Sequence, residues 1–161
     1  MQKIITHLWF DSNAEEAVNF YTSIFKNSSI GKTARYTGEG AKASGQKEGT
    51  VMTIAFNLNG QDFNAINGGS IFKFTEAISF VVNCENQEEV DHYWNKLTEG
   101  GQEVQCGWLK DKYGLSWQIV PKQLIELMSS PDKAKAGRAM QAMLKMKKID
   151  IKALQEAADQ K

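Results

Sequence analysis

Histidine and cysteine are scarce in this chain, and neither sign of charge is in excess. The two cysteines are too few for the disulfide framework that holds many small secreted domains together. The two histidines leave little material for a tight first-row metal centre, which usually needs about three good ligands. Because 19 basic residues balance 19 acidic ones, no general attraction to nucleic acid or to a membrane surface is expected.

Long apolar runs are also missing from the sequence. None approaches the roughly 20 residues that a membrane-spanning helix needs. The first residues, Met1-Gln2-Lys3, lead directly into a strand-like segment and do not resemble a signal peptide. Together with the free thiols, this favours a cytoplasmic protein. A length of 161 residues, of which 42% are apolar, is enough for one domain with a sizeable core.

An internal repeat is the most informative feature that the chain does contain. Residues 14–21, AEEAVNFY, are echoed 73 positions later by residues 87–94, QEEVDHYW. Each copy has the apolar spacing of a helix and follows a short strand-like run. A fixed offset between similar segments is typical of a duplicated supersecondary unit. Two such units can share one sheet and leave a cleft, so the side chains that point into that cleft are the candidates for function.

Hydrophobic alternation, glycine pairs and capping residues predict the order of the elements. Strands are predicted at 3–11, 29–37, 50–58, 61–67, 76–83, 103–109 and 115–120. The repeat helices start after Ser12 or Asn13 in the first copy and after Asn86 in the second. Residues 38–49, with four glycines, are predicted as a flexible hairpin connection. The second copy thus lacks one of the three strands that follow the first helix, or has it very short.

After Pro121 the pattern is helical to the end of the sequence. Ser130-Pro131 predicts one helix start, and Asp150 predicts the cap of a final helix. Residues 131–161 carry 8 Lys/Arg and 4 Asp/Glu, which we interpret as the solvated face of a helix. The predicted organisation is one domain at 1–125, with modules at about 1–70 and 71–125, and a helical extension at 126–161.

Strand periodicity selects the candidate binding residues. His7 and Trp9 share one face of the first strand, while Leu8 takes the opposite face, where a helix would pack. In the fourth strand two alternatives stay open, because either Asn64 or its opposite-face neighbours Ala65 and Asn67 point inward.

Gln118 of the last strand and Trp108, which would share a face of the sixth strand with Cys106, complete the set. The predicted ligand-binding residues are His7, Trp9, Asn64, Asn67, Trp108 and Gln118. Aromatic rings with a few polar groups are the usual lining of a small-molecule pocket. The alternative is a filled interior whose amides are hydrogen-bonded.

The sequence gives weaker support for a metal site or a reactive nucleophile than for a small-molecule pocket. His7 is the only plausible strong metal ligand, because His92 lies in a predicted helix. A weak divalent-metal site built on His7 stays open, and no cofactor is specified. Cys106 has no Lys or His beside it in the sequence, which favours a small buried residue over a reactive thiol.

Three segments resemble the PhnB-like family of the vicinal oxygen chelate superfamily. They are Leu8-Trp9-Phe10-Asp11 with the following Ala14-Glu15-Glu16-Ala17, the block from Cys106-Gly107-Trp108 to Ile119-Val120-Pro121, and the tail from Ala139-Met140 to Asp150-Ile151. Relatives in the superfamily include glyoxalase I, extradiol dioxygenases and bleomycin-resistance proteins. The resemblance implies an α+β fold of paired βαβββ modules with a C-terminal helical extension. It also implies a cup-shaped sheet for each site and a homodimer.

The same resemblance allows a comparison of metal ligands. In metal enzymes of the superfamily, ligands lie in strand one, strand four, strand five and the final strand. The first position matches His7, the final-strand carboxylate falls on Gln118, and strand five offers no histidine. The strand-four position is ambiguous between Ala65 and Asn67. At most one strong ligand survives, which favours a cup that binds a ligand without a tightly held metal.

Three functions follow from these expectations. The first is a dimeric small-molecule-binding protein of the glyoxalase/bleomycin-resistance type. The alternative is a metal-dependent lyase, isomerase or dioxygenase that uses His7. The third is an interaction protein that acts through its methionine-rich basic tail. Proteins of this family are often described as demethylubiquinone methyltransferases, but this sequence has no adenosylmethionine-binding loop of the usual type.

Overall fold

The computed structural model describes residues 2–160, which form two compact units that divide between Phe74 and Thr75. The first unit contains β1 (Thr6–Phe10), α1 (Ala14–Ile24), β2 (Ser29–Arg35), α2 (Gly38–Ser44), β3 (Val51–Leu58) and β4 (Gln61–Asn67). Its sheet has the order β1-β4-β3-β2, with β1 parallel to β4 and the other pairs antiparallel. The parallel pair needs a long crossover, and α1 lies within it.

The second unit repeats this topology. It contains β5 (Ser79–Cys84), α3 (Gln87–Leu97), β6 (Gln102–Glu103), β7 (Trp108–Lys110) and β8 (Ser116–Pro121). Its sheet has the order β5-β8-β7-β6, with β5 parallel to β8. Helices α4 (Lys122–Met128), α5 (Lys133–Met143) and α6 (Ile151–Asp159) follow. The predicted fold class is confirmed: α+β, with two βαβββ modules and C-terminal helices.

Each repeat helix buries its apolar stripe on one face of its sheet. In the first unit Ala14, Ala17, Val18 and Tyr21 are fully buried. In the second, Trp94 is buried between α3 and the sheet, and its Nε1 donates to Glu103 Oε1 at 3.0 Å. Because one face of each sheet is covered in this way, the opposite face is left for other partners.

The C-terminal helices pack on one another in the second unit. Their core consists of Leu124, Ala139, Ile149, Leu154 and Ala158, with the partly buried Val120, Leu127, Met128, Ala142, Met143 and Met146 around it. Gln87 of α3 joins them to the module, because its Nε2 donates to Ile149 O at 3.1 Å and its Oε1 accepts from Ile151 N at 2.9 Å. The extension is therefore built into the second unit.

Two boundary predictions were wrong for local reasons. The segment 38–49 is not a loop throughout, because α2 occupies Gly38–Ser44, buries Ala41 and ends at Gly45 with φ +70°. The glycines that indicated a loop thus lie at the ends of this short helix and within it. The predicted start at Ser130-Pro131 is also displaced, since Asp132 caps α5 by accepting from Ala134 N and Lys135 N. The predicted caps Asn86 and Asp150 are confirmed.

The predicted sixth strand is also wrong, because the chain turns within it. Residues 103–109 divide into β6 and β7, and Cys106 and Gly107 between them have φ of +59° and +82°. The tail holds this turn, since Cys106 N donates to Met146 O at 2.8 Å and Gly107 N donates to Lys147 O at 2.7 Å. The missing strand of the second copy is thus present and very short, with two residues in β6.

Within residues 2–160, no helix combines the length and the apolar character that crossing a bilayer requires.

The turn at Gly107 provides a stability test with a matched control. A Cβ at Gly107 would lie 2.8 Å from Ile119 O and 3.3 Å from Ile149 Cγ1, whereas a Cβ at Gly114, with φ +87°, would meet nothing within 4 Å. We expect Gly114→Ala to lower the free energy of unfolding by about 1 kcal/mol through backbone strain alone. We expect Gly107→Ala to lower it by about 3 kcal/mol or more, because a backbone clash adds to the strain. Urea unfolding measures both, and equal losses would contradict this assignment.

Candidate functional site

The face of the first sheet that carries His7 lies opposite the face covered by α1. Leu8 and Phe10 are buried on the helix side, while His7 is exposed and Trp9 is half-buried. The parallel register places Asn64 directly beside His7. Neighbours in a register share a face of the sheet, so His7, Trp9 and Asn64 lie on the same surface.

Trp9 is held in place by the two glycines that follow β4. Its Nε1 donates to Gly69 O at 2.8 Å. A Cβ at Gly68 would lie 2.1 Å from the indole ring, so only glycine leaves room for this packing. Phe72 contacts the ring edge-on, with centroids 4.9 Å apart. The Trp9 indole therefore has a fixed position on the face that carries His7 and Asn64.

Asn67 has a different role from the predicted one. It lies on the helix face and is 5% exposed. Its Oδ1 accepts from Ala14 N at 2.8 Å, and its Nδ2 donates to Val51 O at 3.1 Å. The side chain thus supplies the cap that Asn13, the N-cap residue of α1, does not provide. Of the two alternatives in the fourth strand, Asn64 shares the face of His7 and Asn67 does not.

The strand-four ligand position is resolved by the same register. Ala65 and Asn67 pair with Leu8 and Phe10 on the buried face, so neither lies on the surface that His7 occupies. The residue beside His7 is an amide, Asn64. An imidazole with one amide does not fit a tight first-row metal site.

A cavity of about 550 Å³ lies on the first unit, and sequence reasoning missed most of its lining. It includes Asn64, and its charged groups are Lys3 and Asp62. Asp62 Oδ1 accepts from Asn57 Nδ2 at 2.8 Å. Gly31 packs closely against Ala55 in this lining, because a Cβ at Gly31 would lie 3.2 Å from Ala55 O. The signal in the sequence was weak, because these residues come from separate strands and the segment before β1.

In the second unit, Trp108 and Gln118 lie beside one another. They are directly paired in the β7–β8 ladder, and both are half-buried. Gln118 Nε2 donates to Ser79 Oγ at 2.9 Å, which fixes the amide on this face. Both residues line a second cavity, of about 360 Å³. These two predicted site residues are therefore brought together.

The two cysteines differ in their surroundings. Cys84 is buried on the α3 side, and burial raises the pKa of its thiol to about 12. A thiol with that pKa is protonated near neutral pH and is a poor nucleophile. Cys106 does not share a strand face with Trp108 as predicted, because it lies in the turn between β6 and β7. It is only partly buried and lines the second cavity.

Among the described residues, neither unit contains a cluster of side chains that could bind a metal ion. Among residues 2–160, no three His, Cys, Asp or Glu side chains are grouped so that they could hold an ion. The Gln118 amide already donates to Ser79 Oγ. The residues present do not fit a firmly held metal.

Comparisons with known proteins agree with this geometry. The family model described as 3-demethylubiquinone-9 3-methyltransferase matches residues 2–120. A PhnB protein from Bacillus cereus is 43% identical over 74% of this chain and 99% of its own, with a TM-score of 0.66. A search of curated proteins gave no match.

Two more distant structures share the fold. Protein PA1353 from Pseudomonas aeruginosa has a TM-score of 0.61 at 17% identity, over 75% of this chain and 98% of its own. The fosfomycin resistance protein FosX from Listeria monocytogenes, complexed with Mn(II) and sulfate, has a TM-score of 0.50 at 15% identity, over 75% and 91%. With a family model that matches most of its length and a relative 43% identical to it, this chain belongs to the PhnB-like family.

Proposed function

We propose that this PhnB-like protein binds a small organic molecule on the sheet face that carries His7, Trp9 and Asn64. The observation that carries the proposal is the pairing of His7 with Asn64 on an uncovered face, next to a fixed indole. Asn64 also lines the cavity of about 550 Å³, a size within the roughly 300–1,000 Å³ range of small-molecule sites. In the second unit, Trp108 and Gln118 offer the same combination of a ring and an amide.

The chemistry of these groups favours a ligand with carbonyl or hydroxyl oxygens. The Asn64 amide offers both a donor and an acceptor, and a neutral imidazole at His7 offers one of each. Trp9 supplies a flat apolar surface on which a ring or an alkyl segment packs. An imidazole, an amide and an indole do not form a paired nucleophile and base, so binding is the activity that they support best.

Methyl transfer has less support than binding. The β1–α1 connection, residues 11–13, contains no glycine, whereas nucleotide-type cofactors are commonly held by a glycine-rich turn at this point. We therefore propose ligand binding in preference to the reaction that the description of the family names. A metal-dependent enzyme built on His7 is the second candidate, because His7 is an exposed imidazole on the open face.

A homodimer forms part of the proposal. Val81 is 52% exposed on β5, where it pairs with Gln118 on the face of the second sheet opposite α3 but does not line the cavity that α4 and α5 cover. An uncovered sheet face with apolar side chains is the kind of surface that a second copy covers. A sheet face with both apolar and polar side chains also suits a ligand pocket near the contact between the two copies.

Ligand-induced thermal shifts test the binding face. In a panel of carbonyl- and hydroxyl-bearing metabolites, we expect a compound that raises the Tm of the wild-type chain. His7→Ala and Asn64→Ala should each reduce that shift by half or more, because one polar contact to the ligand is lost. His92→Ala is the matched control, since His92 lies in α3, and it should keep the full shift. A shift that survives both substitutions on the face would contradict the proposal, as would a panel with no active compound.

Metal content separates binding from metal-dependent catalysis. We expect chain purified under mild conditions to hold well below one Ni, Zn, Mn or Fe per chain, because His7 has an amide and no carboxylate as its direct neighbour. Added Zn²⁺ should bind weakly, and His7→Ala should remove that binding while His92→Ala should not. Elemental analysis and titration measure both. A near-stoichiometric metal that is lost in His7→Ala would replace the binding proposal with the enzyme.

Sedimentation velocity tests self-association. We expect the wild-type chain to sediment at twice the chain mass. Val81→Glu should shift it towards monomer, because a charge would be buried against the second copy. Leu144→Glu, a similar change at a residue 58% exposed in the helical extension, should stay dimeric. A wild-type monomer, or equal behaviour of the two variants, would argue against this interface.

A further inference from the structure

We propose that helices α4 and α5 complete a second binding pocket, which takes an uncharged aromatic molecule or group that carries a single N–H or O–H. The inference rests on the proposed function, since Gln118 belongs to the candidate binding residues. It adds the chemical class of one ligand and assigns the wall of the pocket to the helical extension. All of its residues lie in the second unit.

The pocket combines the sheet with the extension. Strands β7 and β8 supply Trp108, Gln118 and Val120, and helices α4 and α5 supply Ile125, Met128, Met140 and Met143. Its volume of about 360 Å³ is within the roughly 300–1,000 Å³ range of ligand pockets. Without α4 and α5, Trp108 and Gln118 would lie on an open sheet face with no opposing wall.

The lining selects a neutral ligand. None of the described residues around this cavity is Asp, Glu, Lys, Arg or His. A charged group placed there would lose its hydration without an opposite charge to replace it. The cavity of the first unit differs, because Lys3 and Asp62 line it. The two cavities therefore suit different chemistry.

Two polar atoms set the orientation of the ligand. Among residues 2–160, neither Trp108 Nε1 nor Gln118 Oε1 has a hydrogen-bond partner, while Gln118 Nε2 is engaged by Ser79. A ligand N–H or O–H matches the free amide oxygen, and a ligand acceptor matches the indole N–H. The paired positions of Trp108 and Gln118 in the ladder place these two groups side by side.

Three methionines make the wall adaptable. Met128, Met140 and Met143 contribute unbranched thioether side chains that pack well against aromatic rings and adjust to different shapes. The family model ends at residue 120, just before α4 begins. The wall thus comes from residues beyond the range that the family model matches, and the proposal assigns α4 and α5 a role in ligand specificity.

Methionine methyl NMR on the full chain tests the pocket directly. The probe is N-phenyl-1-naphthylamine, a neutral amine with one naphthyl group, one phenyl group and one N–H, added to protein labelled at the methionine methyl carbons. We expect the signals of Met128, Met140 and Met143 to shift on titration, while that of Met52 in β3 stays in place. Shifts confined to other methionines, or no shift at all, would overturn the proposal.

Substitutions one helical turn apart provide the matched control. Met140→Trp fills the cavity, so the probe should bind at least tenfold more weakly. Leu144→Trp adds the same ring at a residue of the extension that does not line the cavity, so affinity should be unchanged. Should Met140→Trp fail to fold, Met140→Gln replaces it, and its polar amide should weaken binding several-fold. Equal affinity in the folded Met140 and Leu144 variants would overturn the proposal.

The metabolite panel used on His7→Ala separates the two proposals. Loss of its thermal shift in His7→Ala, combined with unchanged probe binding in Met140→Trp, would leave the binding face of the first unit standing and reject the second pocket. If probe binding depends on Met140 while the metabolite shift is unchanged in His7→Ala and Asn64→Ala, the second pocket stands and the binding face of the first unit is rejected.

Discussion

The parallel pairing of the first and last strands of each module is the constraint on which the rest depends. A parallel pair cannot be joined by a tight turn, so the chain must cross over the sheet, and the crossover helix covers one face. That pairing also sets which residues meet on the other face. It places His7 beside Asn64 in the first module and Val81 beside Gln118 in the second. The faces that the crossover helices leave free, with their aromatic and amide groups, are a direct result; in the second unit α4 and α5 then cover part of this face.

In each module, one buried polar side chain forms several hydrogen bonds near the last strand. In the first, Asn67 joins the end of β4 to the start of α1 and to Val51. In the second, Asp111 is 3% exposed and accepts from Tyr113 N, Leu115 N and Trp117 Nε1, which fixes the turn from β7 to β8. Buried polar groups with all partners in place restrict a structure to one arrangement, since any alternative would leave them unpaired. The two modules thus have the same topology but are stabilised by different buried side chains.

Much of the fold was predictable from the sequence, because its signals are local. The repeat is real: α1 starts at residue 14 and α3 at residue 87, and both have 11 residues. The alternation in β1 correctly separated His7 and Trp9 from Leu8. The errors concern long-range partners. Nothing near Asn67 in the sequence indicates that it caps a helix 53 positions away, and nothing near Cys106 reveals that the tail holds it in a turn.

The turn at Cys106 and Gly107 has a consequence for how the second unit unfolds. Its two amides find their acceptors 40 positions later, at Met146 and Lys147. If those carbonyls moved away, two N–H groups at the edge of the sheet would lose their acceptors, and the hairpin of β6 and β7 would loosen with them. We therefore expect the sheet and the tail of the second unit to unfold together, and a chain shortened to residue 120 to have a less stable sheet edge.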